Sequence, residues 1–248
     1  MNPHLRITGA SRGIGAATAR LAAQHGYAVS INYRNDRAAA ETVLEEITRG
    51  GGKAIALQAD ISRGDAASQL FADAYSSFGE ITGLVNNAGV LASQLRVDQM
   101  DAARLQHMFS TNVIGAFLCA GEAVRRMSTR YGGSGGAIVN VSSIAASLGS
   151  PGEFVDYAAS KGAIDTLTIG LAKEVAAENI RVNAVRPGVI YTDIHASAGE
   201  PRRVDRIKSG VPMQRGGEAI EVARAIMWLL SDEASYVTGS LLDVAGGR

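Results

Sequence analysis

Thr8-Gly9-Ala10-Ser11-Arg12-Gly13-Ile14-Gly15 stands where a short apolar run ends and an Ala-rich helical pattern begins, and its reading decides the fold. Glycines at a strand-to-helix junction allow a tight turn and let the backbone approach a ligand. The unpaired N–H groups and the positive dipole end of the following helix favour a phosphate, so this is where a dinucleotide pyrophosphate would sit. The spacing is G-x-x-x-G-x-G, which on its own is compatible with a nucleotide cradle or with a structural turn. Working outward, candidate strands at 5–8, 28–32, 54–58, 83–86, 137–141, 181–185 and 241–244 alternate with helix-length segments at 14–24, 37–49, 66–78, 101–130, 157–178 and 219–230. This alternation predicts an α/β fold with a mostly parallel sheet covered by helices on both faces. The strand runs are mostly continuously apolar, as expected of strands buried on both sides.

Composition narrows the function classes. The chain has 248 residues, 24 Lys plus Arg against 24 Asp plus Glu, 46% hydrophobic residues and 19% charged residues. A chain of this length can form one large core, and no repeat or Pro-rich linker divides it, so residues 1–248 are expected to form a single domain. Zero formal net charge removes the basic footprint of a general nucleic-acid binder, and no apolar run is long enough to span a bilayer. The N-terminus Met1-Asn2-Pro3-His4-Leu5-Arg6 lacks the apolar core of a signal peptide, and the single Cys119 cannot form an internal disulfide, so a cytoplasmic location is expected. Cys119 has no activating His nearby in sequence and reads as core. One Cys and four scattered His offer no metal-ligand spacing, so no metal is expected. Glycine is the compositional outlier, at 29 residues, about 12% against a typical ~7%.

A second constellation gives the glycine turn its meaning. Ser143 follows the strand at 137–141, and Tyr157-Ala158-Ala159-Ser160-Lys161 places Tyr and Lys at i and i+4 on one helix face. Alone, such a pair is an ordinary exposed helical pair. Combined with a glycine turn and a strand-end serine at the carboxyl end of a parallel sheet, it becomes a candidate acid/base site. The ammonium, together with the positive charge of an oxidised nicotinamide, would pull the phenol down from its usual pKa. Gly132-Gly133-Ser134-Gly135-Gly136 also satisfies G-x-S-x-G, but a helical pattern precedes it and a strand follows, the reverse of a nucleophile elbow. It reads as a turn.

At these residues the sequence resembles the short-chain dehydrogenase/reductase family, over Thr8 to Gly247. The matching motifs occur in the family's order: the glycine turn, Asp60 after the third strand, Asn86-Asn87-Ala88-Gly89, Asn112, Ser143, Tyr157 with Lys161, and Pro187-Gly188 followed by Thr192. The resemblance implies a doubly wound Rossmann fold with a seven-stranded sheet, and nicotinamide-dependent interconversion of a carbonyl and an alcohol. It also implies roles. Tyr157 would exchange a proton with the carbonyl oxygen, Ser143 would orient that oxygen, Lys161 would hold the nicotinamide ribose and tune Tyr157, and Asn112 would support a proton-relay water. The dinucleotide would rest on Gly9, Ser11, Arg12, Gly13, Ile14 and Gly15, with Asp60 and Ile61 at the adenine and Asn87, Ala88 and Gly89 along the adenosine. Pro187, Gly188, Ile190 and Thr192 would border the nicotinamide, with Ile190 and Thr192 at its carboxamide. A homotetramer is implied too, with the helices at 101–130 and 157–178 as its surfaces. The Ser143-to-Tyr157 interval is one residue longer than in many members, so the loop 144–156 is expected to differ in shape.

Cofactor choice turns on charge after the second strand. NAD users place a carboxylate there for the ribose 2′-OH, and it repels a 2′-phosphate. In Ser30-Ile31-Asn32-Tyr33-Arg34-Asn35-Asp36 the family's acidic position falls on Tyr33, followed by Arg34. Arg12 adds a second guanidinium. Asp36 competes as a ribose ligand, but reads better as the cap of the helix at 37. NADP(H) is therefore expected over NAD(H), which stays possible. Residues 191–216 occupy the family's variable substrate loop and include His195, Arg202, Arg203, Arg206 and Lys208. They read either as a greeting for an anionic substrate or, better, as a solvated face balanced by Glu200 and Asp205. The substrate is expected to be a small carbonyl or alcohol. A non-catalytic dinucleotide-binding sensor and a serine hydrolase acting through Ser134 are the competing classes.

Overall fold

The computed structural model describes residues 3–248; Met1 and Asn2, which the single-domain expectation and the reading of the N-terminus include, lie outside the described residues. The chain runs β1 (His4–Ile7), α1 (Gly13–Gln24), β2 (Ala28–Tyr33), α2 (Arg37–Arg49), β3 (Lys53–Gln58), α3 (Gly64–Phe78) and β4 (Gly83–Asn86). It continues through α4 (Ala102–Phe109), α5 (Gly115–Met127), β5 (Gly136–Val141), α6 (Ala145–Leu148), α7 (Val155–Val175) and β6 (Ile180–Pro187). The last third holds β7 (Ile190–Tyr191), α8 (Ile194–Ser197), α9 (Arg203–Ile207), β8 (Gly217–Glu218), α10 (Ala219–Leu230) and β9 (Leu241–Val244).

Seven strands pair in the order β3-β2-β1-β4-β5-β6-β9, and every neighbouring pair is parallel. The period-2 alternation of side chains sorts the apolar strand residues onto two faces. Leu5, Ile7, Val29, Ile31, Val85, Val139 and Val185 join one core cluster with residues of α1, α2 and α10. Leu84, Ile138 and Val182 join the other with residues of α3, α5 and α7. Because the chain moves outward from β1 to β3 and then crosses to β4 on the other side, the carboxyl ends of β1 and β4 splay apart. A crevice opens there, at the topological switch point.

Three features depart from the sequence expectations. The helix expected over 101–130 is broken: a wide π turn at Ser110–Ile114 separates α4 from α5, and a 3₁₀ turn at Thr129–Tyr131 follows Ser128. Hydrophobic period cannot register one inserted residue, and such bulges concentrate at functional sites. The sixth strand continues to Pro187 because β9 pairs with it as far as Val244. Finally, the two-residue pair β7 and β8 forms a separate small ladder, too short to show any period. Asp36 does cap α2, its carboxylate accepting the Ala39 N–H at 3.0 Å. Ser134 donates to Glu80 at 3.2 Å on the surface, with Gly132 left-handed beside it (φ 87°), which is a turn and not an elbow.

Candidate active site

The glycine turn is stitched to the end of β4. Thr8 Oγ1 accepts the N–H groups of Asn87 and Ala88, both at 3.0 Å, while Asn87 Nδ2 donates to the carbonyls of Thr8 (2.9 Å) and Gly9 (2.8 Å). This packing leaves no space for a side chain at two of the glycines. A Cβ on Gly9, whose φ is +60°, would lie 2.8 Å from Ala88 Cα, and one on Gly15 would lie 2.5 Å from Asn87 Nδ2. Helix α1 starts without a capping side chain on Arg12 and without an acidic residue in its first turn. Its first N–H groups therefore face the crevice without a carboxylate or hydroxyl of their own, which suits an anion.

A cavity of about 810 Å³ runs from this turn along the ends of β1, β4, β5 and β6. All the candidate residues line it except Gly15 and Asn112: Gly9, Ser11, Arg12, Gly13 and Ile14 on the turn, Arg34 after β2, Asp60 and Ile61 after β3, Asn87, Ala88 and Gly89 after β4, then Ser143, Tyr157 and Lys161, Pro187 at the end of β6, and Gly188, Ile190 and Thr192 beyond it. Gly15 instead packs inside α1 against Asn87. Asn112 sits one layer behind, in the π turn. Its Oδ1 accepts the Val90 N–H at 2.7 Å, and its Nδ2 donates to the Val90 carbonyl at 3.0 Å and to Ser160 Oγ at 3.1 Å.

Ser143 Oγ accepts the Ala145 N–H at 3.1 Å, which keeps the hydroxyl proton available for the Tyr157 phenol beside it in the cavity. Neighbouring Ser142 points elsewhere, donating to the Lys161 carbonyl at 3.1 Å. The Lys161 ammonium donates to the Val141 carbonyl at 2.7 Å and lies 5.6 Å from the Tyr157 ring centroid, against the ring face. The phenol is therefore not lowered in this structure. Burial pushes it up to about 12, offset only by the Ser143 hydrogen bond, and burial pulls the Lys161 ammonium down to about 8 against the field of Asp165. The expected lowering draws on the positive charge of an oxidised nicotinamide as well as on the ammonium, which here donates to a strand-end carbonyl. At neutral pH the phenol is protonated.

Asn32 is a site residue that sequence reasoning missed. From β2 it accepts the Gly9 N–H on Oδ1 at 3.3 Å and donates to the Ala59 carbonyl at 3.0 Å, fixing the loops on either side of the crevice. A lone Asn ending an apolar run is the signal, since a buried amide needs partners. Among the basic residues of 191–216, Arg203 and Arg206 pair with Glu153 and Glu200 and Lys208 pairs with Asp205, as a balanced face would. Among the described residues no His, Cys, Asp and Glu cluster could hold a metal ion, and no helix is long and apolar enough to cross a membrane.

Residues 9–248 match the family model described as enoyl-(acyl carrier protein) reductase. The oxidoreductase YgfF of Escherichia coli K12 is 61% identical over 242 residues, covering 98% of each chain. The chain belongs to the short-chain dehydrogenase/reductase family. Another relative of these dehydrogenases, the 3-oxoacyl-(acyl-carrier-protein) reductase FabG of Staphylococcus epidermidis, is 36% identical over 247 residues, covering 100% of this chain and 99% of its own. Among solved structures, a short-chain dehydrogenase/reductase from Serratia marcescens superposes with a TM-score of 0.91 at 33% identity, covering 99% of this chain and 97% of that one. A dehydrogenase/reductase from Sinorhizobium meliloti gives 0.90 at 31%, covering 99% and 94%. The chain is thus an oxidoreductase of this family, built on the family's fold.

Proposed function

We propose that this protein is an NADP(H)-dependent reductase and dehydrogenase that interconverts a carbonyl and an alcohol, with Tyr157 as the acid/base. The observation that carries the reading is the single cavity shared by the uncapped glycine turn and the Ser143, Tyr157 and Lys161 cluster. Gly9 with its close approach to Ala88 and the open N-terminus of α1 fit a pyrophosphate. The dinucleotide, when bound, supplies the hydride. In carbonyl reduction Tyr157 holds the proton that the oxygen takes up, and Ser143 orients that oxygen by donating its hydroxyl. Lys161 holds a positive charge 5.6 Å from the centre of the ring on which the phenolate is left. The Asn112 side chain is fully engaged with Val90 and Ser160, so any part it plays in returning the proton runs through its main chain. The relationship to 3-oxoacyl-(acyl-carrier-protein) reductases supports reduction as the working direction. Exposed Ile114 at the end of the π turn and Phe117 on α5, with Ile169 on α7, support a homotetramer joined across these helices.

Charge around the 2′-position supports NADP(H). Arg12 and Arg34 both line the cavity, and of the Asp36 carboxylate, which also lines it, one oxygen caps α2. Replacing Arg34 with Ala is expected to lower kcat/KM for NADPH by about 10- to 100-fold, the worth of one charge-assisted hydrogen bond, and to leave NADH little changed. Steady-state rates with both cofactors check this. An equal loss with both would remove Arg34 from phosphate recognition. A non-catalytic sensor finds no support in a site that keeps Ser143, Tyr157 and Lys161 together.

A further inference from the structure

The lengthened loop before Tyr157 folds into an unusual shape. Gly149, Ser150 and Gly152 all have positive φ (73°, 45° and 75°), and the turn brings Glu153 to the cavity wall four residues ahead of Tyr157. There Glu153 meets α9. Arg203 Nη2 lies 2.5 Å from Glu153 Oε2 and Nη1 lies 3.2 Å from Glu200 Oε2. The Arg203 guanidinium also covers the Phe154 ring at 4.8 Å. Arg206 reaches Glu153 Oε1 at 3.4 Å and pairs with Glu200. Gln94 donates to Glu200 at 2.8 Å. Two cations and two carboxylates cancel, and three distant segments are tied together around the end of the cavity.

Resting on the carbonyl-reducing reading above, we propose that the Glu153–Arg203 pair makes this end of the cavity selective for uncharged, apolar carbonyl compounds and excludes carboxylates and phosphates. Both terminal nitrogens of Arg203 are already held by carboxylates, and its face is covered by Phe154. An incoming anion would have to displace Glu153 or lie beside it, and an uncompensated charge in an enclosed site is costly. Lys161 lines the cavity with its ammonium on the Val141 carbonyl, and Arg12 and Arg34 line it at the glycine turn and after β2. His195 also lines the cavity, but burial lowers its pKa and its Nε2 is bound to the Ile190 carbonyl at 3.1 Å. Arg202 does not line the cavity, and Arg248 lines it from an exposed position where solvent screens its charge. Leu91, Leu148, Val189, Ile194 and Ile207 supply an apolar wall.

The test is a panel of matched 2-oxo esters and acids, ethyl benzoylformate with benzoylformate and ethyl pyruvate with pyruvate, assayed with NADPH. The parent protein is expected to favour each ester over its acid by about 100-fold or more in kcat/KM, and Glu153→Gln to cut that ratio about tenfold, mainly through KM for the acid, by freeing Arg203. Glu200→Gln, which frees the same guanidinium from its other side, should shift the ratio the same way. The double variant Glu153→Gln with Arg203→Gln should restore it. Thermal unfolding reports whether each variant is folded. A parent that reduces the acids as well as the esters, or folded single variants with an unchanged ratio, would overturn the inference while leaving carbonyl reduction intact. No turnover of any panel member, despite NADPH binding by fluorescence, would overturn the catalytic reading beneath it.

Discussion

Tyr157→Phe is expected to lower carbonyl reduction by about a hundred- to ten-thousandfold, the usual worth of a positioned general acid, while NADPH binding is retained. The phenyl ring keeps the packing of α7 and removes only the hydroxyl that Ser143 contacts. Stopped-flow turnover and fluorescence titration of NADPH separate the two effects. Full turnover in the variant would remove Tyr157 from the chemistry. A loss of binding equal to the loss of rate would make it a cofactor ligand only. The charges around it set the pH profile. Burial holds the phenol protonated up to about 12 and lets Lys161 lose its proton near 8, so kcat/KM for reduction should fall as pH rises through about 8, when the positive charge opposite the developing phenolate is lost. A rate that stays flat to pH ~10 would contradict that role for Lys161.

Arg6→Met is expected to stabilise the fold by about 2–3 kcal/mol without changing turnover. Arg6 lies in the middle of β1 between Ser30 and Leu84 and is 0% exposed. None of its Nε, Nη1 and Nη2 atoms has a hydrogen-bond partner among the described residues. Burial pulls its pKa down to about 9, relieved in part by the fields of Cys119 and Asp73. Met fills a similar slender volume without a charge to desolvate. For a chain of this size the gain corresponds to roughly 5–10 °C in Tm. Thermal unfolding of both proteins at neutral pH measures it, and a lower Tm for Arg6→Met would show that the guanidinium has a stabilising partner.

Much of the frame was legible because it follows from periodicity. Strands such as Gly83–Asn86 and Leu241–Val244, and helices such as Arg37–Arg49 and Ala219–Leu230, are bounded by changes of pattern or by a cap such as Asp36. The candidate residues could be named because the glycine turn and the Tyr157–Lys161 pair are local in sequence. What escaped is non-local. The π turn holding Asn112 exists because its amide is fastened to Val90, 22 residues earlier, and to Ser160, 48 residues later. Glu153 and Arg203 are 50 residues apart, so nothing in either stretch announces the pair. The direction of the Lys161 side chain is non-local in the same way. An i,i+4 spacing places two residues on one face, but only the nearby Val141 carbonyl decides where the ammonium points.

The most direct measurement is the carbonyl-dependent oxidation of reduced nicotinamide by the purified protein, followed in parallel with NADPH and NADH over a panel of aldehydes, ketones and oxo esters, with the alcohol product quantified. The expected result is stoichiometric conversion of carbonyl to alcohol with kcat/KM about tenfold or more higher for NADPH, equivalent to at least ~1.4 kcal/mol of preference at the 2′-phosphate. Binding of NADPH with no carbonyl-dependent oxidation of either cofactor across the panel would contradict it.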